Sequence, residues 1–297
     1  MSYPDLGALE LFLTATRLGS VSQAAAAHRI AQPSASSRIT TLERQLGIKL
    51  LERGPRGSVP TSEGSVVAGW AENLLRVAQE LTTGVEALRA SRTGQLRVAA
   101  SFTIAEYLLP PWLDKFLRSR PDDSVALDVV NSTHVLERVE AGQADLGFIE
   151  SPDPTPTMRS QTVAVDELVT VVRPGHPWTR GAGVSVDTLV STPLVLREQG
   201  SGTRASLEQA LAALGLDAPY SVLEVGSTSA VRSAVRNGSS PTVVSGVAVA
   251  ADLDAGTLVA VPVAGLSIRR RLRAVWPRRR DLNPLAQALL DQIPNLP

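Results

Sequence analysis

Apolar positions in the first sixty residues recur at helical spacing in three short stretches. Leu6, Leu9, Phe12 and Leu13 form one stripe that ends near Gly19. Ser20-Val21-Ser22 then supplies capping hydroxyls for a second, alanine-rich helix over residues 23–28. A turn at Arg29-Ile30-Ala31 leads into Gln32-Pro33, and proline at a first helical position pre-sets φ for a third helix. There Ala35, Ile39, Leu42 and Leu46 recur at spacings of four, three and four, and Gly47 closes the helix. Residues 48–60 alternate strand-like pieces with Gly54, Pro55, Gly57 and Pro60, which predicts a two-stranded hairpin. From Thr61 to about residue 90 runs a long helical pattern marked by Val67, Trp70, Leu74, Val77, Leu81, Val85 and Leu88. At ~1.5 Å per residue it would be about 45 Å long. A lone helix with one apolar seam needs a partner, so a coiled-coil-like dimer is expected.

After Gly94 the pattern changes to strands alternating with helices. Strands are expected over 96–100, 125–130 and 146–149, with helices over 104–117 and 135–141. Residues 163–172 cross into a second set, with strands over 194–197, 222–225 and 242–245 and helices over 203–214 and 228–237. A strand over 271–276 and a helix over 284–293 finish the chain. Such alternation implies a parallel α/β sheet. Two sets joined by crossing strands suggest two lobes with a cleft between them.

Composition narrows the function. The 297 residues suggest two or three domains. Lys+Arg and Asp+Glu are both 29, so nucleic-acid binding has to rest on a local motif. There is no cysteine, which excludes disulfides, thiolate metal sites and cysteine nucleophiles. His28, His134 and His176 are far apart in sequence, and no metal or cofactor is expected. The opening Met1-Ser2-Tyr3-Pro4-Asp5 carries no secretory pattern, and no apolar run approaches the roughly 18 residues of a membrane span. A cytoplasmic protein is the expectation.

The third helix carries chemistry on its polar side. With Ala35, Ile39, Leu42 and Leu46 facing the core, Ser37, Thr40, Thr41 and Arg44 point the opposite way, flanked by Ser34, Ser36 and Arg38. Small hydroxyls let a helix approach a major groove closely, and arginine donates to guanine or phosphate. Ser22, at the start of the preceding helix, joins this DNA-facing set, and Arg53 and Arg56 in the hairpin would reach phosphate or the minor groove.

Ser20-Val21-Ser22-Gln23-Ala24-Ala25, Gln32-Pro33-Ser34-Ala35-Ser36, Leu42-Glu43-Arg44-Gln45-Leu46-Gly47, Leu50-Leu51-Glu52-Arg53 and Pro60-Thr61-Ser62-Glu63-Gly64 together resemble the LysR-type transcriptional regulators. The likeness extends over the whole chain. It implies an α/β multi-domain protein: a winged helix-turn-helix at 1–60, a linker and dimerisation helix at 61–90, and a periplasmic-binding-protein-like effector domain at 91–297. That domain would have lobe I at about 95–162 and 267–297 and lobe II at about 163–266. The resemblance places Gln32, Pro33, Ser34, Ser36 and Ser37 at DNA, with Arg53 and Arg56 in the wing. Ser37 departs from the family, where many members carry arginine or another long side chain. Arg38 next to it is expected to take over part of that contact.

The resemblance also puts a ligand between the lobes. Ser101-Phe102-Thr103 opens a helix in one lobe and Ser201-Gly202-Thr203 opens its counterpart in the other, with Thr133 in Asn131-Ser132-Thr133 near both. Hydroxyls and unpaired N–H groups at helix starts suit a carboxylate, sulfate, sulfite or phosphate. The competing reading of each is an ordinary N-cap. Glu150 ends a strand near the cleft, where a solvated or salt-bridged carboxylate is expected. The runs 269–271 and 278–280, all arginine, resemble a basic patch for DNA, but the favoured expectation is that they decorate a surface strand and its turn, alternation putting half on each face. The implied partners are double-stranded promoter DNA, a small anionic effector and further copies of the chain as dimer and tetramer, with RNA polymerase also admitted. An enzyme is not expected, since no nucleophile triad, metal cluster, Walker loop or dinucleotide fingerprint is present. A solute-binding protein would fit the second half only.

Overall fold

The computed structural model describes residues 3–54, 57–92, 94–152 and 156–294 and forms two compact units, Met1–Val85 and Glu86–Pro297.

The first unit opens with α1 (Leu6–Leu18), capped by Asp5, which accepts the Ala8 N–H at 2.8 Å, and closed by Gly19 in the left-handed region. Then come α2 (Val21–Ala27), capped by Ser20, and α3 (Gln32–Leu46), with Pro33 in its first turn and Gly47 at φ 72° closing it. Leu9, Leu11, Phe12, Ala24, Ile39 and Leu42 fill the core between the helices. Leu6, expected in the α1 stripe, is exposed, and Ala8, Leu11 and Ala15 are buried instead. Because α1 packs on both α2 and α3, its buried face is wider than a single stripe.

The hairpin consists of β1 (Leu51–Gly54) and β2 (Gly57–Pro60), antiparallel with Leu51 opposite Pro60. Glu43, on the α3 face behind the exposed hydroxyls, anchors it. One carboxylate oxygen accepts the N–H groups of Leu50 (2.9 Å) and Leu51 (3.3 Å), and the other meets Lys49 Nζ at 3.2 Å. Burial raises this carboxyl's pKa, but the two backbone donors and Lys49 more than offset it, leaving the group below its ordinary value.

Next, α4 (Ser62–Arg92) runs for 31 residues, or ~46 Å. Gly64 in its first turn allows close approach to the chain before β1, where a Cβ would lie 2.1 Å from the Leu50 carbonyl oxygen. The expected apolar stripe divides. Val67, together with Ala71, packs into the first unit's core, while Trp70 (68% exposed), Leu74, Val77, Leu81 (70% exposed) and Val85 face outward. The Leu88 side chain lies outside the described residues.

The second unit runs β3 (Gln95–Ala100), α5 (Phe102–Tyr107), α6 (Leu109–Arg118), β4 (Ser124–Val129), α7 (Ser132–Glu140) and β5 (Leu146–Ile149). The single helix expected over 104–117 is two helices meeting at Leu108, because Pro110 and Pro111 supply no N–H to continue α5's hydrogen-bond ladder. The long β6 (Met158–Val172) then leads to β7 (Val184–Ser185), α8 (Val186–Ser191), β8 (Leu194–Arg197), α9 (Gly202–Ala213), β9 (Ser221–Val225), α10 (Thr228–Asn237), β10 (Thr242–Ser245) and α11 (Gly246–Asp254). The chain ends with β11 (Val259–Ala260), β12 (Val263–Ala264), β13 (Ile268–Pro277) and α12 (Pro284–Leu290).

The main sheet runs β10-β6-β13-β5-β3-β4, with β11 also on β6. The expectation of a parallel sheet holds only in part. β3 pairs in parallel with β4 and β5, and β8 with β9, but β6, β13 and β10 join antiparallel. This antiparallel core follows from the long crossing strands, which pass through the sheet in opposite directions and carry the chain between two lobes. Lobe-specific cores lie on either side, one around Leu96, Phe116, Phe148 and Leu289, another around Leu194, Leu207 and Leu211.

Replacing Glu43 by alanine leaves the Leu50 and Leu51 N–H groups without their acceptor. We expect the first unit to lose about 1–3 kcal/mol, seen as a lower urea midpoint with an unchanged m-value; an unaltered midpoint would remove the anchoring role.

Candidate functional site

The first unit presents the outer face of α3. Gln32, Pro33, Ser34, Ser37 and Arg38 are exposed, with Thr40, Thr41 and Arg44 further along the helix. Behind them Ala35, Ile39 and Leu42 are buried in the core, so one helix is apolar on one side and bears hydroxyls and arginines on the other. Ser36 is half-buried at the edge of that face, and Ser22 is exposed on α2. Among the described residues, Gln32, Ser34, Ser37, Arg38, Thr40, Thr41 and Arg44 remain exposed along α3's outer face. Arg56 and the Arg53 side chain lie outside the described residues. His28 ends α2, its Nε2 2.9 Å from Thr14 Oγ1, a packing role.

In the second unit the starts of α5, α7 and α9 converge on the end of β5. Gly202 permits it: a Cβ there would lie 2.5 Å from Ser151 N and 2.8 Å from Ser132 Oγ. Asn131 Nδ2 donates to the Gln199 carbonyl at 3.3 Å, and Thr133 N to the Gly200 carbonyl at 3.2 Å. Thr133 is exposed at the rim, its hydroxyl 3.4 Å from that same carbonyl. Ser132 points inward instead, accepting the Glu150 N–H at 3.3 Å.

Ser101, Thr103, Ser201, Gly202 and Thr203 are brought together and buried there. Asn131, Ser185, Ser227, Ser245 and Asn283 each cap their own helix through the side chain. Ser101 and Ser201 occupy the same position on α5 and α9 but make no such bond. The Gly202 and Thr203 N–H groups at the start of α9 have no acceptor among the described residues. Phe102 is half-buried beneath the Arg197 guanidinium, 4.6 Å from ring centroid to Cζ. Arg197 is in turn held by Glu198 (2.7 Å) and Thr228 (3.1 Å).

Between the two helix starts sits Glu150, 2% exposed. Its Oε1 accepts the Thr103 N–H at 3.1 Å, and its Oε2 the Thr203 hydroxyl at 3.3 Å. Ser101 and Thr103 hydroxyls face the same carboxylate, though neither completes a well-directed bond within the protein. Arg270 arrives from β13, 5% exposed. Its Nη2 lies 2.7 Å from both Glu150 Oε2 and Asp166 Oδ2, ion-pair distances without hydrogen-bond alignment. Its Nε donates to Asp166 at 2.9 Å and its Nη1 to Thr203 Oγ1 at 3.0 Å. Asp166, on β6, also accepts the Ser245 hydroxyl at 3.0 Å. Full burial drives Glu150 toward protonation, but the Arg270 charge and the Thr103 and Ser101 donors outweigh it, holding the carboxyl below its ordinary 4.5.

Glu150 is thus the salt-bridged carboxylate the sequence suggests, while Arg270 and Asp166 are not evident from composition. The signal for Arg270 is the two-residue alternation of β13, which turns one member of the arginine run inward. For Asp166 it is an acidic residue inside an otherwise apolar crossing strand. No cluster of three or more histidine, aspartate or glutamate side chains able to hold a metal occurs among the described residues. No helix of the described residues is long and apolar enough to cross a membrane.

A helix-turn-helix with an open polar face, carried by a chain whose second unit is a two-lobed ligand-binding fold, defines a ligand-responsive transcriptional regulator. Residues 6–65 match the family model described as bacterial regulatory helix-turn-helix protein, lysR family, and residues 89–296 match the LysR substrate binding domain. The chain belongs to the LysR family of transcriptional regulators. Uncharacterized HTH-type transcriptional regulator Rv2282c of Mycobacterium tuberculosis is 42% identical, covering 99% of this chain and 96% of the relative. YeiE of Escherichia coli is 32% identical, with coverage of 95% and 94%. Among solved structures, the Synechocystis CcmR regulatory domain in complex with 2-PG has a TM-score of 0.61 at 25% identity, covering 67% of this chain and 95% of that one. Full-length CbnR in complex with its target DNA shares the fold, with a TM-score of 0.53 at 21% identity, covering 97% and 98%.

Arg270→Met leaves Glu150 and Asp166 buried side by side without their cation. We expect the second unit to lose about 3–5 kcal/mol, read by chemical denaturation at pH 7. Because the Glu150 pKa is lowered in the fold, its contribution is complete above 4.5 and lost as pH falls through the folded value. The gap between wild type and the variant should therefore narrow in acid, and a gap independent of pH would contradict the ionic reading.

Proposed function

We propose that this regulator reads operator DNA with the α3 face and senses a small oxyanion at the convergence of α5 and α9. The carrying observation is that Ser101 and Ser201 leave their own helix starts uncapped while buried beside one another's lobes. Ordinary capping serines bond their own third N–H; Ser101 instead turns its hydroxyl toward Glu150, and Ser201 leaves its own uncommitted, next to Thr103, Thr203 and the free N–H groups of α9. A helix start of this kind favours negative charge.

Glu150 restricts the choice of ligand. Ionised, it only accepts hydrogen bonds, so an effector beside it has to offer a proton as well as a charge. A hydrogen-oxyanion or a hydroxylated acid meets both demands. The 2-PG complex of the CcmR domain supports a small-molecule ligand in a domain of this kind. The residues proposed for the effector are Ser101, Phe102, Thr103, Ser201, Gly202 and Thr203, with Thr133 fastening the rim. Lobe I is taken as about 95–162 and 267–297, and lobe II as about 163–266, hinged where β6 and β13 cross.

On the DNA side, Gln32, Pro33, Ser34, Ser37 and Arg38 lead, with Ser22 and Ser36 at the edge and Arg53 and Arg56 in the wing. The exposed α4 seam pairs two chains as a dimer, and two dimers form a tetramer on an interrupted palindrome. Effector-driven closure of the lobes changes the bend imposed on the promoter, with RNA polymerase as the downstream partner in the cytoplasm.

Three measurements test this. In thermal-shift screening of the chain against phosphate, sulfate, sulfite and glycolate, Ser201→Ala and Thr203→Val should weaken any hit at least tenfold, ~1.4 kcal/mol. Glu150→Gln, which removes like charge, should strengthen it; a hit indifferent to all three places the ligand elsewhere. Arg38→Gln should cost about 1–3 kcal/mol of operator affinity, and retention of full affinity would move recognition off α3. Leu74→Glu with Leu81→Glu should turn the dimer into a monomer by light scattering, and an unchanged mass would discount the α4 seam.

A further inference from the structure

The edge of β13 beside α9 borders a second concave feature. A groove of about 450 Å³ runs between β13 and α9, lined by Arg269, Arg270, Arg271, Arg273, Gln209 and Ala213 among others. Strand alternation turns side chains 269, 271 and 273 to the face opposite Arg270, about 6.6 Å from one to the next. The volume is within the roughly 300–1,000 Å³ that holds small ligands.

Two of the cations in this groove have no carboxylate in contact with them. Elsewhere in the unit Arg97, Arg197, Arg204 and Arg232 each close on a carboxylate at 2.6–2.8 Å. Arg269 and Arg271 are exposed, and their side chains make no ion pair or hydrogen bond among the described residues. Arg273 differs: its Nη1 donates to the Ser151 and Pro152 carbonyls, fixing it at the groove's end. The nearest acidic neighbour in the sheet is Glu167, opposite Arg269 in the register, whose carboxylate accepts the Ser267 hydroxyl at 3.4 Å. No carboxylate among the described residues lines the groove itself.

We propose that this groove is a binding site for a small phosphorylated metabolite with two separate anionic groups, one on Arg269 and the other on Arg271. Guanidinium groups grip phosphate oxygens in pairs, and two neighbouring guanidiniums give each of two anionic groups its own partner. Gln209 on α9 supplies a neutral donor and acceptor on the facing wall, and Ala213 leaves it open. A concave pocket of this size suits a small ligand better than a convex duplex backbone, whose phosphates would meet only its rim. Arg269 and Arg271 are not cleft residues, so the proposal does not rest on the effector reading, although Arg270 reaches both the groove and Thr203 of the cleft.

The test is calorimetric titration of inorganic pyrophosphate into the full chain. Pyrophosphate should bind, and Arg269→Gln with Arg271→Gln should weaken it at least tenfold. Both side chains are exposed, so the double variant should keep its circular dichroism and melting temperature. Ala213→Glu, which brings a carboxylate to the opposite wall, should cause a similar loss, and Arg271→Lys a smaller one. The cleft variant Ser101→Ala, which leaves the Arg270–Thr203 bond in place, should retain this binding in full. No pyrophosphate binding at millimolar concentration, affinity unchanged in both groove variants, or loss confined to the cleft variant would each overturn the proposal. So would competition by an unrelated DNA duplex that the groove double variant abolishes, which would make the arginines a DNA contact.

Discussion

Arg270 is buried at the crossing of β6 and β13, and taking a guanidinium out of water costs several kcal/mol unless every donor finds an acceptor. Asp166 on β6 and Thr203 at the start of α9 accept its hydrogen bonds, and Glu150 at the end of β5 adds an ion pair. None can move far without leaving charge unpaired in a medium of low dielectric. The convergence of α5, α7 and α9 on this point is therefore held by electrostatics as much as by packing. Any ligand entering the cleft competes for the same donors, so occupancy and lobe geometry are linked through one side chain.

The DNA-binding unit solves a parallel problem with the opposite sign. Glu43 is a buried anion whose acceptors are used up by two backbone N–H groups and Lys49, and it fastens the hairpin to the recognition helix. The α3 helix thus performs three jobs on three faces: Ala35, Ile39 and Leu42 bind the core, Glu43 binds the hairpin, and Ser34, Ser37 and Arg38 face outward. Of the three, only the last face is not tied to another part of the unit among the described residues.

How far the sequence foretold this depends on the type of signal. Helix ends marked by Pro33, Gly19 and Gly47 were legible because proline and glycine restrict the backbone locally, whatever the tertiary context. Interior positions of α3 were legible from spacing alone. The α5–α6 break at Leu108 was also written in the chain, as Pro110-Pro111, but a continuous apolar period across it outweighed that local mark. The antiparallel core of the sheet was not legible, since strand direction depends on which distant segments pair. At the cleft, hydroxyl-rich helix starts at Ser101 and Ser201 stood out, whereas Ser132 could not be told from Thr133 without the helix phase. Asp166 and Arg270 are 104 positions apart, and no local pattern joins them.

A net charge of zero hides a strongly uneven distribution. Cations in the second unit are mostly neutralised where they are buried: Arg197 by Glu198, Arg232 by Asp252, Arg270 by Glu150 and Asp166. Those exposed on α3 and on the outward side of β13 face water instead, where each retains its full attraction for anions at short range. Alternation along β13 is what separates the two classes. Adjacent residues of one arginine run are sent to opposite sides of the strand, Arg270 into a closed ionic network and Arg269 and Arg271 to an open groove. Sequence composition counts them as equals, and only the pleat of the strand assigns them different chemistry.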